Sequence, residues 1–306
     1  MDDNDANETT GFLSNKTDRK GTIRRRFHIE NNSGENSLNM VVIIEDLRAA
    51  FYLSFIFVLL VGIVLTYVFV DEDHNAILVK VFGISNLCSY VDFAPTTYII
   101  PALWCFSIIF IFLYTAAFIF RIKIAYLEKK LSKCACVPLV LAHVYVFLSA
   151  IFFTLSFSVQ PDPAKPVTML IHTSPYVNMK ITFAVLQVAV VYFGVKVSWK
   201  GLNLPRWLHI MSVAHVVPLI IVEVAGSLIL INALADMGEN LEGNGLWWSV
   251  RTEANKIIAQ WIGNILAFVL HTVFPLFQSL YICRNGVDSH ALIVAVNDNR
   301  VSAYST

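Results

Sequence analysis

The sequence predicts an all-α polytopic membrane protein with six transmembrane helices and both termini cytoplasmic. Three observations point there. Hydrophobic residues make up 57% of the 306 residues and charged ones only 14%, a balance outside the range of soluble domains. Several apolar runs reach the ~20 residues that a hydrocarbon core of ~30 Å demands of a helix. Lys and Arg alternate along the connecting segments: seven precede residue 50, five lie in 121–136 and three in 196–206, against one in 71–97, one in 160–175 and two in 234–256. The basic segments, and with them both chain ends, are expected on the cytoplasmic side. Membrane lipids are the expected partners, with the cytoplasmic tails as surfaces for protein partners. Nucleic acid is excluded, because the bundle surface faces lipid.

Residues 1–39 are polar and poor in aromatics, acidic at Asp2, Asp3, Asp5 and Glu8 and basic from Lys16 to Arg26. They read as a disordered cytoplasmic tail without the layout of a cleavable signal peptide. Asn39 to Phe51 reads as an interfacial helix, with Glu45, Asp46 and Arg48 at headgroup level. The transmembrane domain is expected over 40–283, with spans near 50–70, 98–120, 137–159, 176–198, 208–233 and 257–283, followed by a cytoplasmic tail over 284–306. The segment from Asp71 to Thr97 is too apolar for a linker and reads as an external cap over the bundle mouth. QPDPAKPVTMLIHTSPY carries four prolines and reads as an external loop. Trp247 and Trp248 suit the outer interface.

The last two apolar segments carry polar side chains that lipid-facing helices do not. An ionisable group at membrane depth costs at least ~2.5 kcal/mol, so Glu223 is expected to face the protein interior. Gln187, Glu223, Asn264 and His271 read as a polar seam through the bundle. Estimated depths put Glu223 level with Asn264, about 6 Å from the midplane, and His215 level with His271 on the other side. Such a seam either holds helices together or offers sites for a solute and its coupling proton. His143 falls near the depth of His215 and His271, and paired imidazoles at one depth can hold a haem. No metal-ligand motif accompanies them, and no cofactor is expected. Cys134, Cys136 and Cys283 lie at the cytoplasmic membrane boundary, where S-palmitoylation occurs. The chain has no G-x-S-x-G elbow, H-E-x-x-H pair, Walker loop or glycine-rich dinucleotide turn, and no catalytic residues are assigned.

Several features together resemble the damage-regulated autophagy modulator family, whose wider superfamily includes the GPI-anchor lipid-remodelling proteins. They are the six-span plan with termini inside, Ile84 and Ser85 followed by Pro95 in the first external segment, His172 opening the fourth span, and Trp248 and Trp261 before and within the sixth. The resemblance covers about 50–283. Thr96 follows Pro95 where that family carries a more acidic stretch, and the N-terminal tail is longer. The resemblance implies a non-enzymatic integral protein of endomembranes (lysosome, Golgi or ER) or the plasma membrane. Its implied work is in lipid organisation, GPI-lipid maturation or autophagy regulation. It also implies that Ser85 and His172 could meet a lipid headgroup at the external mouth. Two other classes stay open: a proton-coupled small-solute transporter or channel using Glu223, and a haem-bearing electron carrier using His143, His215 and His271.

Overall fold

Long apolar stretches become helices here because a membrane-embedded backbone must satisfy its own amide and carbonyl groups. The computed structural model describes residues 38–69, 94–159, 166–198, 206–239, 265–285, 291–297 and 300–305. Among these residues, five helical segments are long and apolar enough to cross a membrane: Ile44–Phe69, Thr96–Leu127, Lys133–Ser158, Leu170–Val197 and Arg206–Ala225. The elements in order are β1 (Leu38–Ile43), α1 (Ile44–Phe69), α2 (Thr96–Leu127), α3 (Lys133–Phe152), the short α4 (Leu155–Ser158) and α5 (Pro166–Phe193), which ends in a π turn over Gly194–Ser198. There follow α6 (Arg206–Glu239), a second π turn over Val269–Val273, α7 (Phe274–Asn285), β2 (Ala291–Asn297) and β3 (Arg300–Ser305).

Each long helix is apolar on two faces for two reasons. On α1, Leu53, Phe57, Leu60, Val64 and Val68 recur at helical spacing and are exposed, while Tyr52, Phe55 and Val58 are buried. The first row suits lipid and the second packs on protein. Small residues let the helices approach: Ser54 Oγ lies 2.9 Å from Ser107 Oγ between α1 and α2, and Gly62 is buried on the same face of α1. Trp104 of α2 fills the junction with α3, its Nε1–H donating to the Ala150 carbonyl at 3.1 Å. Its ring meets Phe55 and Phe153 edge-on, at centroid distances of 5.8 and 5.1 Å.

Four expectations need correction. The all-α reading holds for the bundle, but the described chain ends form a three-stranded antiparallel sheet in the order β1-β2-β3. Leu38 pairs with Val296 and Ile43 with Ala291. β-Branched residues dominate MVVI and LIVAV, and they pack best on a pleated surface; the interfacial-helix reading of Asn39 to Phe51 missed this. The expected C-terminal tail of 284–306 likewise contains β2 and β3. Second, α1 begins at Ile44 and carries Glu45 and Arg48 into the bundle, where both are buried among protein side chains. Third, the proline-rich segment expected as an external loop is helical from Pro166 onward. Pro166 sits at the first helical position, where its missing N–H would have had no intrahelical partner anyway. Finally, α6 runs beyond the expected end of its span, to Glu239. The sixth expected span is helical over its described part, 265–283, and the helix continues to Asn285.

Candidate functional site: a recess and two buried polar groups

α1, the α3–α4 turn, α5 and the chain around the second π turn line a small recess of about 60 Å³ that opens to the surface. Its wall is aromatic and aliphatic, with Phe55, Val58 and Leu59 from α1 facing Phe157, Met179, Phe183 and Phe268. Ser156, Tyr176, Lys180, His271 and Thr272 complete the lining, and the surface presented to the recess is almost entirely apolar. The Lys180 ammonium lies 5.0 Å from the Tyr176 ring centroid, a cation–π distance. The Thr272 hydroxyl turns back onto the Phe268 carbonyl.

The first buried polar group adjoins this recess. His271 Nδ1 lies 2.6 Å from the Ala267 carbonyl, and Nε2 lies 2.8 Å from Glu223 Oε2. Both residues are buried. A carbonyl oxygen can only accept, so Nδ1 carries a hydrogen. The Nε2···Oε2 contact then holds one proton, carried by either the imidazole or the carboxyl group, and in both forms the pair has zero net charge. That is how a carboxyl group is tolerated at membrane depth.

Pro275 shapes the adjoining turn. In the π turn the Phe274 amide donates to the Val269 carbonyl, five residues back, so the next amide would serve Leu270. Residue 275 is proline and has none. His215 of α6 supplies the donor, with its Nε2–H bonded to the Leu270 carbonyl at 2.9 Å. Its ring stacks on Phe274 with centroids 4.1 Å apart.

The second group is centred on Gln278. Its Oε1 accepts from Gln187 Nε2 at 3.1 Å and from Arg48 Nη2 at 3.3 Å, while its Nε2 donates to Ser212 Oγ at 2.6 Å. Ser212 passes its own hydrogen to the Leu208 carbonyl. Arg48 also bonds Ser279 Oγ through Nε at 2.5 Å and Glu45 through Nη2 at 2.8 Å. Four helices, α1, α5, α6 and α7, are joined through these side chains. Gln278 is seven residues after His271, two turns or about 10 Å along a helix.

The expected seam therefore divides in two. Gln187 joins Gln278, and Glu223 joins His271, which depth estimates had set on opposite sides of the midplane. Helical side chains lean toward their own N-terminus; in antiparallel helices Glu223 and His271 lean toward each other and close the offset. Asn264, the expected partner of Glu223, lies outside the described residues. So do Ser85, Cys88, Trp247, Trp248, Trp261 and nearly all of the cap segment. His172 is buried in α5; its Nδ1 donates to the Val159 carbonyl at 2.8 Å, and its own carbonyl accepts from Ser156. It braces the recess wall at Ser156 from behind.

The three histidines expected at one depth have separate surroundings. His143 donates to the Leu139 carbonyl at 2.8 Å and stacks on Phe118, His215 serves Leu270, and both nitrogens of His271 are engaged. Among the described residues no three His, Cys, Asp or Glu gather in a way that could hold a metal ion. Cys134 is exposed, whereas Cys136 and Cys283 are half-buried; all three are free thiols.

Sequence reasoning missed Arg48, Ser212, Gln278 and Ser279. A signal existed for Gln278, a lone amide among apolar residues four positions before Ile282. Arg48 gave none, because a charged residue beside the membrane boundary reads as interfacial. No family model, curated protein or solved structure matches the chain.

Proposed function

We propose that this is a non-enzymatic, lipid-handling membrane protein with six spans and cytoplasmic termini, and that the recess receives the acyl part of a membrane lipid. The observation that carries this reading is the recess itself: an aromatic and aliphatic wall with a lysine and a histidine among its lining residues. A wall that is almost wholly apolar suits a hydrocarbon chain. The six-span count is supported by the pairing of β1 with β2, because two strands on one side of a membrane require an even number of crossings between them. The resemblance to the autophagy-modulator and GPI-lipid-remodelling superfamily points to the same class, with a place in endomembranes or the plasma membrane.

Native mass spectrometry of protein purified in mild detergent tests the proposal. A lipid should co-purify with the wild type and be lost from Val58→Trp, which fills the recess, but not from Leu60→Trp on the exposed face of the same helix. Equal retention by both variants, or no lipid on the wild type, would count against it. A Soret band in the same sample would instead make the histidines haem ligands.

One observation favours a second reading, a proton-coupled transporter: the shared proton of Glu223 and His271 borders the recess. In that case Glu223→Gln abolishes solute flux driven by a pH gradient in proteoliposomes. Under the lipid reading the variant keeps its lipid.

A further inference from the structure

The short connection between α2 and α3 turns on a lysine where helices usually place a glycine. α2 ends in a Schellman turn: the Lys130 amide donates to the Ala125 carbonyl at 2.9 Å and the Lys129 amide to the Tyr126 carbonyl at 3.0 Å. Lys129 is left-handed there, with φ 59°. Glycine suits that position because a Cβ crowds the backbone in it. The Leu131 amide also bonds the Ala125 carbonyl, at 3.2 Å, and its side chain is buried, which pins the turn. Lys129, Lys130 and Lys133 are all exposed on this one turn.

The turn stands where the lipid-facing surface stops. Exposed apolar side chains follow α2 through Ile109, Leu113, Phe120 and Leu127, and resume on α3 with Val137, Leu141 and Leu148. Lys123, also exposed, falls between Phe120 and Leu127 on the same row, a position from which an ammonium reaches headgroup level on its apolar stem. Residues 122–137 hold four lysines against one carboxylate, Glu128, which pairs with Lys130 at 2.8 Å. Among the described residues no carboxylate pairs with Lys123, Lys129 or Lys133. We propose that Lys123, Lys129, Lys130 and Lys133 form a docking surface for anionic phospholipid headgroups in the leaflet at this end of the bundle. Each lysine beside an anionic membrane surface is worth about fivefold in association. The recess lies toward the other end of α3, where Phe153 and Phe157 line it, and neither reading depends on the other.

Native mass spectrometry of the full-length protein in mild detergent, given equal amounts of phosphatidylserine and phosphatidylcholine, tests it. The wild type should retain phosphatidylserine over phosphatidylcholine by at least about fivefold, and Lys129→Gly combined with Lys133→Gln should lower that ratio by at least about fivefold. Lys129→Gly alone relieves the left-handed residue, so its unfolding temperature without added lipid should hold or rise while the ratio falls. A lysine serving the turn alone would leave the ratio unmoved. Equal retention of the two lipids by the wild type, or an unchanged ratio in the double variant, overturns the proposal. So does lysine-dependent binding of inositol hexakisphosphate without a preference for phosphatidylserine, which would make the partner a soluble polyphosphate.

Discussion

His215 donates to the Leu270 carbonyl at 2.9 Å, standing in for the amide that Pro275 lacks. A proline on one helix is thereby answered by a histidine on its neighbour, so neither residue can be judged alone. The predicted consequence is non-additivity. His215→Phe preserves the stack on Phe274 but leaves a buried carbonyl unmet, and should cost about 1–3 kcal/mol. In a Pro275→Ala background the restored amide serves Leu270, and the same change should cost less. A double-mutant cycle by unfolding in detergent should return a coupling of about 0.5–3 kcal/mol; simple additivity would mean that the carbonyl finds another donor.

Glu223→Gln keeps a hydrogen-bond donor facing His271 Nε2 and leaves the pair neutral. Its effect on stability should stay near the ~0.6 kcal/mol typical of interhelical bonds in membranes. Glu223→Leu strands the imidazole nitrogen and should cost more, about 1–3 kcal/mol. Comparing the two unfolding temperatures checks the shared-proton description, and equal losses would contradict it.

Gln278→Leu removes the acceptor of both Gln187 and Arg48 and the donor to Ser212. Because three helices lose their common partner, it should destabilise by more than Gln187→Leu, which removes a single bond. Ranking both variants by thermal unfolding makes the test, and the reverse order would show that Arg48 re-pairs locally.

The register of the terminal sheet predicts a cross-link. Asn39 and Ala295 are Cα partners, and directly opposed antiparallel residues lie about 4.5–5.5 Å apart, inside the range a disulfide spans. In a background without the native cysteines, Asn39→Cys with Ala295→Cys should cross-link on mild oxidation, seen as a shift in gel mobility. Asn39→Cys with Asn297→Cys should not.

The apolar runs made the bundle legible, because length and hydropathy alone separate a crossing helix from other structure. Glu223, His271 and Gln187 stood out for a related reason: polar groups at membrane depth need a partner. Which partner was not legible. Depths counted along a helix axis ignore the lean of the side chains, and that lean is what brings Glu223 to His271. Nor did the charge pattern reveal Arg48, since a guanidinium near a helix start looks the same whether it meets headgroups or is enclosed by Glu45, Gln278 and Ser279. The strands escaped for another reason: β1 and β2 are far apart in sequence, and each alone is a short apolar run that periodicity cannot assign.

Pairing Ile43 with Ala291 also imposes an order on biogenesis. β1 precedes the described helices and β2 follows them, so the two strands meet only after the helices between them have been made. A nascent chain that ends before Ala291 carries β1 without its partner, an exposed pairing surface of the kind that chaperones and proteases recognise. Closure of the sheet thus reports that everything between its first two strands has been made.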